Sequence, residues 1–270
     1  MTISLQPRGP FSLAAPLPVA LTDDGGEAVA LRAVWMEEAG EVEVDFVSDL
    51  PAEQVERHAA RVLSLDVDAT GLEEVGARDP VVARLLEEAA GRRPVCLGTP
   101  FEAAVWAVLS QRVSMAQAGR VKDALAASLG TPMEIGGVEV VAFPGPAAVA
   151  SLESFAGVWD SKRERIRGLA GAALAGDLDP DVLRGMELDE ALAHLQSLPG
   201  IGPFGAMLIL ARGAGHPDVP PPTLRRFRAA VRSAYTLDVE PDEAMMAELI
   251  EPWRPYRGWM TCLLRSAGGE

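Results

Sequence analysis

The stretch Leu198-Pro199-Gly200-Ile201-Gly202-Pro203-Phe204-Gly205-Ala206 joins the end of one helix-patterned segment to the start of another. Two of its glycines flank a single aliphatic residue, and glycine adopts positive φ at no steric cost. The N–H groups of such a turn, and of the helix that follows it, point outward together and can bind an anion such as phosphate. The pattern therefore predicts a tight turn between two helices, with Ile201 anchored between them.

Helical patterning surrounds this turn. Apolar periodicity and capping residues predict helices over residues 100–109, 114–129, 161–174, 188–198, 203–212, 223–235 and 241–264. Residues 28–35 and 41–47 instead have the alternating or continuous apolar pattern of strands, separated by acidic, glycine-containing turns. The sequence thus predicts an α+β fold, in which a small antiparallel N-terminal sheet domain precedes a two-lobed, all-helical body. The predicted domains are residues 1–79, residues 80–104 together with 226–270, and residues 105–225.

Composition and charge limit the function. The chain has 270 residues, of which 49% are apolar, enough for a substantial core. Its net charge of −15 argues against nucleic acid, because phosphate binding relies on Lys and Arg. The charge is unevenly distributed, however: residues 198–235 contain five arginines and one acidic residue, a local charge of +4. A nucleic-acid face around the turn therefore stays open.

The cysteines and the N-terminus indicate a cytoplasmic protein. Cys96 and Cys262 are far apart, and neither has a CxxC partner. Two thiols cannot ligate an iron–sulfur cluster or a Cys-only zinc site, so we expect no such cluster and two free cysteines. The start of the chain lacks the basic and apolar regions of a signal peptide, and we see no run of about 20 uncharged residues that would span a membrane.

Several segments, in order, resemble one family. The turn at 198–206 is similar to the helix-hairpin-helix of the HhH-GPD superfamily of DNA glycosylases, and the chain more specifically resembles bacterial 3-methyladenine DNA glycosylase II. Residues 99–114, 160–170 and 253–257 resemble further helices of that family, and the N-terminal strands suit its extra sheet domain. The resemblance implies a base-excision repair protein that binds damaged duplex DNA, flips an alkylated purine into a cleft and hydrolyses its N-glycosidic bond.

The resemblance also assigns residues to the DNA contact. Gly200, Ile201 and Gly202 would offer backbone N–H groups to a DNA phosphate. Gln111 and Arg112 fall where the family inserts a wedge into the gap left by the flipped base. Basic Arg225 is expected to contact DNA as well. The alternative for Arg112 is a solvated arginine at a helix end.

Two further sites follow from the same resemblance. Phe204 matches an aromatic wall of the base pocket, and Leu208 matches a second wall that is aromatic in the family; the alternative for Phe204 is plain core. Lyase members carry a lysine at the position of Phe204, so Schiff-base lyase chemistry is not expected. No cofactor is required. A monovalent cation, Na⁺ or K⁺, is expected under the hairpin on the backbone carbonyls of Gln196, Leu198 and Ile201.

One element of the family pattern is missing. Family members carry a catalytic aspartate before the helix that follows the hairpin, because cleavage builds positive charge on the sugar. The matching slot here is Pro221, Pro222 or, with a one-residue slip, Thr223, and none of these is acidic. Asp218 is the nearest acid and becomes the candidate replacement. Its alternative is a structural residue that caps or solvates a proline-flanked turn.

Three interpretations remain open from the sequence. The first is a monofunctional DNA N-glycosylase that uses Asp218 or no aspartate at all. The second is a catalytically silent protein that binds damaged DNA. The third is a helical module that kept the fold for a protein partner, as the negative net charge favours. The expected partner is duplex DNA with a damaged base, the expected state is a monomer, and the expected location is the nucleoid-containing cytoplasm.

Overall fold

The computed structural model describes residues 1–23, 25–222 and 224–267. Its N-terminal part is an antiparallel sheet of four strands in the order β1-β4-β3-β2. The strands are β1 (Thr2–Leu5), β2 (Leu17–Thr22), β3 (Ala28–Met36) and β4 (Glu41–Val47). Strand β4 alternates: Val42, Val44 and Phe46 are buried and its acidic side chains are half-buried, while the last residue, Val47, is exposed. The predicted sheet is therefore present, and its inner face lies on helix α1 (Ala52–Val62).

A second hydrophobic cluster joins the middle of the chain to its C-terminal region. It is built from α2 (Leu72–Arg78), α3 (Pro80–Ala89), α11 (Arg225–Ala234), α12 (Glu243–Ile250) and α13 (Arg257–Ala267). Asp79 begins α3 as its N-cap, and its carboxylate also accepts hydrogen bonds from the Tyr235 hydroxyl and from Nε1 of Trp253 at 3.3 Å. This cap thus ties elements that are distant in sequence, because Trp253 is fully buried at the centre of the cluster.

The third and largest cluster lies between these two parts of the sequence. Its helices are α4 (Pro100–Leu109), α5 (Met115–Leu129), α6 (Pro146–Ala150), α7 (Asp160–Leu174), α8 (Pro180–Gly185), α9 (Leu188–Ser197) and α10 (Pro203–Leu208), which runs directly into a π-helical turn, Ile209–Gly213. Helix α4 is buried along nearly its whole length. Side-chain caps from Thr99 and Ser114 begin α4 and α5 where the sequence predicted helix starts.

Two expectations about the helical body were wrong. Residues 131–142 form a hairpin of β5 (Thr131–Ile135) and β6 (Val138–Ala142), so the body is not all-helical. Gly136 and Gly137 have φ of +59° and +76°, the conformation that a two-residue hairpin turn demands. The last predicted helix, 241–264, is divided between α12 and α13 because Pro252 and Pro255 supply no N–H to continue it.

The division of the chain into domains stays a prediction. The second cluster begins at Val67 and resumes at Phe227, whereas the third cluster runs from Phe101 to Val219. Buried arginines connect the clusters. Arg61, on α1, donates to the carbonyl oxygens of Gly98 at 2.7 Å and Gly213 at 2.9 Å. Gly98 lies just before α4, and Gly213 ends the π-helical turn that follows α10. The sheet domain is thereby bonded directly to the helical body.

The same junction predicts a pH dependence of stability. Burial, together with the positive charge of Arg61, lowers the pKa of His58 to about 4 from 6.5. Because the folded state disfavours the protonated imidazole, the free energy of unfolding should be highest above pH 6.5 and should fall as the pH is lowered towards 4. Denaturant titrations at stepped pH measure this. His58→Gln should flatten the decline, whereas the matched variant His194→Gln should not; an equal decline in both variants would exclude His58 as its source.

Candidate DNA-binding site

A tight turn connects α9 to α10. Gly200 has a φ of +78°, in the left-handed region that other residues rarely adopt. Ile201 is buried, and its N–H donates to the Leu198 carbonyl at 3.2 Å. Gly202 is the extended residue before α10, whose first residue is Pro203. These residues, called the hairpin turn below (residues 198–202), place a helix N-terminus directly after two exposed or half-exposed glycines.

Helix α10 and the π-helical turn after it pack closely against α4 in an antiparallel direction. A Cβ on Gly205 would lie 3.5 Å from the Cβ of Ala107, near the end of α4. A Cβ on Gly213 would lie only 2.7 Å from the Cα of Pro100, at the start of α4. Since the two helices run antiparallel, the first turn of α10 lies beside the last turn of α4. The hairpin turn and the residues that follow α4 therefore meet at one end of the molecule.

The segment after α4, called the wedge turn (residues 110–113), is bonded to the hairpin turn. Nε2 of Gln111 donates to the Gly200 carbonyl at 2.7 Å, and Oε1 of Gln111 accepts from Arg165 at 3.2 Å. Arg112 is exposed and has a φ of +57°, which is uncommon outside glycine. The structure thus brings the predicted wedge residues and the predicted phosphate-binding residues together. The Gln111 side chain connects Gly200 of the hairpin turn to Arg165 of α7.

Lys162, on α7, binds the backbone at the start of the wedge turn. Its Nζ donates to the carbonyl oxygens of Leu109 and Gln111, both at 2.8 Å. These groups lie at the C-terminal end of α4, where carbonyls lack helical partners and where the helix dipole favours a cation. Burial and the nearby Arg165 lower the pKa of Lys162. One ammonium group therefore holds both the end of α4 and the residue that precedes Arg112.

The predicted base-pocket residues lie on α10. Phe204, in its first turn, has 42% of its surface exposed, which is unusual for a phenylalanine in a core helix. Leu208 is half-buried one turn further on and packs against the third cluster. Arg225, the first residue of α11, is exposed. The alternative that Phe204 is an ordinary core residue does not fit its exposure to solvent.

Asp218 lies in a buried ion pair. Its two carboxylate oxygens accept hydrogen bonds from Nε and Nη2 of Arg257, both at 2.9 Å, and from Nη1 of Arg254 at 3.0 Å. The backbone N–H of Arg257 adds a further bond at 3.1 Å. Only 8% of Asp218 is exposed. Its charge is consequently balanced within the protein by two guanidinium groups.

The slot of the missing aspartate lies in a proline-rich segment. Pro221 is buried and Pro222 is half-buried, whereas Thr223 lies outside the described residues. Pro222 and Leu224 line a cavity of about 250 Å³ against α11 and α13. The described part of the slot therefore presents apolar surface, as expected for proline.

Sequence reasoning did not single out Lys162, Arg165 and Arg257, which organise this region. Lys162 and Arg165 stand three residues apart on α7, so they share a face of the helix. That spacing, in a segment already matched to the family, was an available signal. No local signal pairs Arg257 with Asp218, because 39 residues separate them.

Comparison with known proteins supports the resemblance. The chain is 25% identical to the DNA-3-methyladenine glycosylase of Bacillus subtilis over 216 residues, covering 78% of this chain and 71% of the relative. It is 30% identical to DNA-3-methyladenine glycosylase 2 of Escherichia coli over 169 residues, covering 61% of this chain and 57% of the relative. No protein-family model matches the chain.

Solved structures with the same fold cover most of the chain. A 3-methyladenine DNA glycosylase from Archaeoglobus fulgidus superposes with a TM-score of 0.72 at 18% identity, over 97% of this chain and 96% of that one. The 3-methyladenine DNA glycosylase Mag1 of Schizosaccharomyces pombe, in complex with abasic DNA, superposes with a TM-score of 0.58 at 18% identity, over 75% of this chain and 98% of that one.

The fold is therefore that of the DNA glycosylases. Sequence and fold together confirm the predicted resemblance to the 3-methyladenine DNA glycosylases. Among the described residues, no helix is long and apolar enough to cross a membrane.

The wedge turn should depend on Lys162. Lys162→Met removes both bonds to the end of α4 and should lower the free energy of unfolding by about 1–3 kcal/mol. Lys162→Arg keeps the positive charge and should recover part of this loss. Urea unfolding curves measure the difference. If Lys162→Met unfolds at the same urea concentration as the wild type, the two bonds do not stabilise the turn.

Asp218 should be required for stability. Asp218→Asn leaves Arg257 buried without its counter-charge and should cost about 3–5 kcal/mol, the loss expected when a buried pair is broken. Thermal unfolding followed by circular dichroism measures this change. Asp160→Asn, at an exposed carboxylate on α7, is the control and should leave the unfolding midpoint almost unchanged. A similar midpoint for both variants would contradict the structural role of Asp218.

Proposed function

We propose that this protein is a monofunctional DNA N-glycosylase of base-excision repair, which binds duplex DNA and removes an alkylated purine. The observation that carries the proposal is the bonded pair of turns, the hairpin turn and the wedge turn, with Phe204 exposed beside them. The hairpin turn would act as a helix-hairpin-helix, with the N–H groups of Gly200 and Gly202 binding a phosphate, whereas the Ile201 N–H already donates to the Leu198 carbonyl. Arg112 would then enter the space vacated by the flipped base.

The exposed aromatic ring supports the choice of substrate. Purines methylated at N3 or N7 carry a positive charge, and an aromatic face attracts a cation. Phe204 would provide that face, with Leu208 completing the wall by apolar contact. The names of the relatives point to the same class of lesion, 3-methyladenine.

The lysines support the absence of lyase activity. Schiff-base chemistry requires an amine that is free to attack the sugar. The chain has two lysines: Lys162 is bonded to the end of α4, and Lys122 forms an ion pair with Glu102 at 2.7 Å. The N-terminal amine donates to Phe46 within the sheet. Release of the base should therefore leave an intact abasic strand.

The hairpin turn also suits the proposed monovalent cation. The three expected ligands are the backbone carbonyls of Gln196, Leu198 and Ile201, at the end of α9 and in the turn. Carbonyls in the last turn of a helix lack intrahelical donors, and uncharged oxygens are suitable ligands for Na⁺ or K⁺. The Leu198 carbonyl accepts a 3.2 Å bond from Ile201 and retains a second lone pair. A bound cation would neutralise charge and stiffen the turn.

We further propose that Asp218 is structural and that catalysis proceeds without a carboxylate in the family slot. The two guanidinium groups on Asp218 already balance its charge, so it is poorly suited to stabilise a sugar cation. An alkylated purine already carries positive charge and leaves readily, so less assistance is needed. The protein would act as a monomer on nucleoid DNA in the cytoplasm. The silent damage-binding protein is the second candidate, favoured by the missing acid alone.

Base release from methylated duplex DNA tests the proposal. Wild-type protein should release 3- and 7-methylpurines faster than the spontaneous rate, with the abasic strand left uncut. Arg112→Ala should reduce release by about 10-fold or more and flatten the salt dependence of DNA affinity by about one unit of slope. Arg57→Ala, which removes another exposed positive charge, from α1, should match the wild type.

Asp218→Asn decides the source of catalysis when assayed below its unfolding temperature and corrected for the folded fraction. Release that persists in this variant supports catalysis by positioning. Release that disappears in a folded variant would make Asp218 the acid and contradict its structural assignment. If the wild type binds methylated DNA but releases no base, the silent damage-binding protein becomes the correct interpretation.

A further inference from the structure

Trp159 is the most exposed aromatic residue in the described part of the chain. Its side chain has 68% of its surface open to solvent. Tryptophan is highly buried on average, and the other four tryptophans of this chain are buried or half-buried. The exposed indole of Trp159 is therefore a candidate contact for a binding partner, and the surrounding sequence indicates the chemistry of that partner.

Hydrogen bonds connect the backbone of Trp159 to the wedge turn through Lys162. Its carbonyl accepts the N–H groups of Lys162 and Arg163, both at 2.9 Å, as the first acceptor of α7. The same Lys162 holds the Gln111 carbonyl through Nζ at 2.8 Å. Trp159 therefore precedes by one helical turn the residue that is bonded to the wedge turn. Met115, 58% exposed at the start of α5, follows Arg112 by three residues.

The charge around Trp159 is complementary to nucleic acid. The first half of α7 carries four basic side chains, Lys162, Arg163, Arg165 and Arg167, against two acidic ones, Asp160 and Glu164. Arg112 adds a fifth positive charge on the wedge turn. In a chain with a net charge of −15, the helix that begins after Trp159 therefore has a local excess of basic residues. An exposed aromatic ring at the start of a locally basic helix suits a stacked base next to a phosphate backbone.

We propose that Trp159 is a second base-contacting residue, which packs its indole against the bases beside the gap filled by Arg112. This inference rests on the proposed function and deepens it. Apolar side chains in the minor groove insert between or against base steps and hold the duplex bent. Trp159 and Arg112 would contact the duplex at neighbouring positions, since α7 and the wedge turn are joined through Lys162. The indole adds affinity without adding charge.

Binding of a dye-labelled duplex that contains a tetrahydrofuran abasic analogue tests this role. Trp159→Ala should weaken binding about 5- to 150-fold, because stacking on an aromatic side chain contributes about 1–3 kcal/mol per base. Trp159→Phe should recover most of the affinity. The salt dependence of affinity should keep its wild-type slope in Trp159→Ala, unlike in Arg112→Ala, since no charge is lost. Val182→Ala, at an exposed apolar residue of α8, should bind as the wild type does.

Tryptophan fluorescence of the same complexes gives a second readout. The duplex should quench wild-type emission and shield it from acrylamide, and Trp159→Phe should lose most of this change. If the wild type binds the duplex while Trp159→Ala keeps its affinity and acrylamide still reaches the indole, the inference is wrong and the proposed function stands. If the wild type binds no duplex, the proposed function fails together with the inference. Unchanged unfolding midpoints in the Trp159 variants would exclude a merely structural effect.

Discussion

The ion pair between Asp218 and Arg257 joins the two helical clusters. Asp218 follows the π-helical turn, next to Val219 of the third cluster, and Arg257 begins α13 of the second. The guanidinium approaches the carboxylate through two parallel bonds of 2.9 Å, a geometry in which both charges are satisfied. The Gly258 N–H also donates to Pro217 at 2.8 Å. Buried charges are tolerated when they are paired in this way, so the loop before α11 has one defined position.

Other basic side chains stabilise irregular backbone by binding its carbonyl oxygens. Arg61, Arg93 and Lys162 each donate to carbonyl oxygens from segments that lack helical or strand partners. Arg93 alone contacts the carbonyls of Arg8, Pro10 and Ser64. Unpaired buried carbonyls are costly, and a long cation can satisfy several at once. These cations therefore connect segments that are distant in sequence.

Local patterns in the sequence were enough to predict the sheet, most helices and the turn at 198–202. Each depends on residues close together in the chain, such as the caps Asp79, Thr99 and Ser114. The β5–β6 hairpin was missed although it carries the signal for one, a Gly-Gly pair between alternating segments. There the expectation of an all-helical body outweighed the local pattern.

The candidate site was predictable in part. Gln111, Arg112, Gly200 and Phe204 were named from the sequence, and the structure brings them to one end of α4 and α10. Their contacts were not predictable. The partner of Asp218 lies 39 residues away, and the carbonyls bound by Lys162 lie more than 50 residues away. Such pairings follow from how helices pack, which a single sequence does not encode locally.

The charge distribution now has a physical explanation. Several arginines and one of the two lysines are used inside the protein, bonded to carbonyls or to Asp218. Acidic residues outnumber basic ones in residues 1–79, so the sheet-containing part of the chain should repel a phosphate backbone. DNA affinity in the proposed function then depends on a small basic area around the wedge turn and on uncharged contacts from aromatic rings. In the proposed function, repulsion by the acidic part of the chain would favour the orientation in which the hairpin turn, Arg112 and Trp159 meet the duplex together.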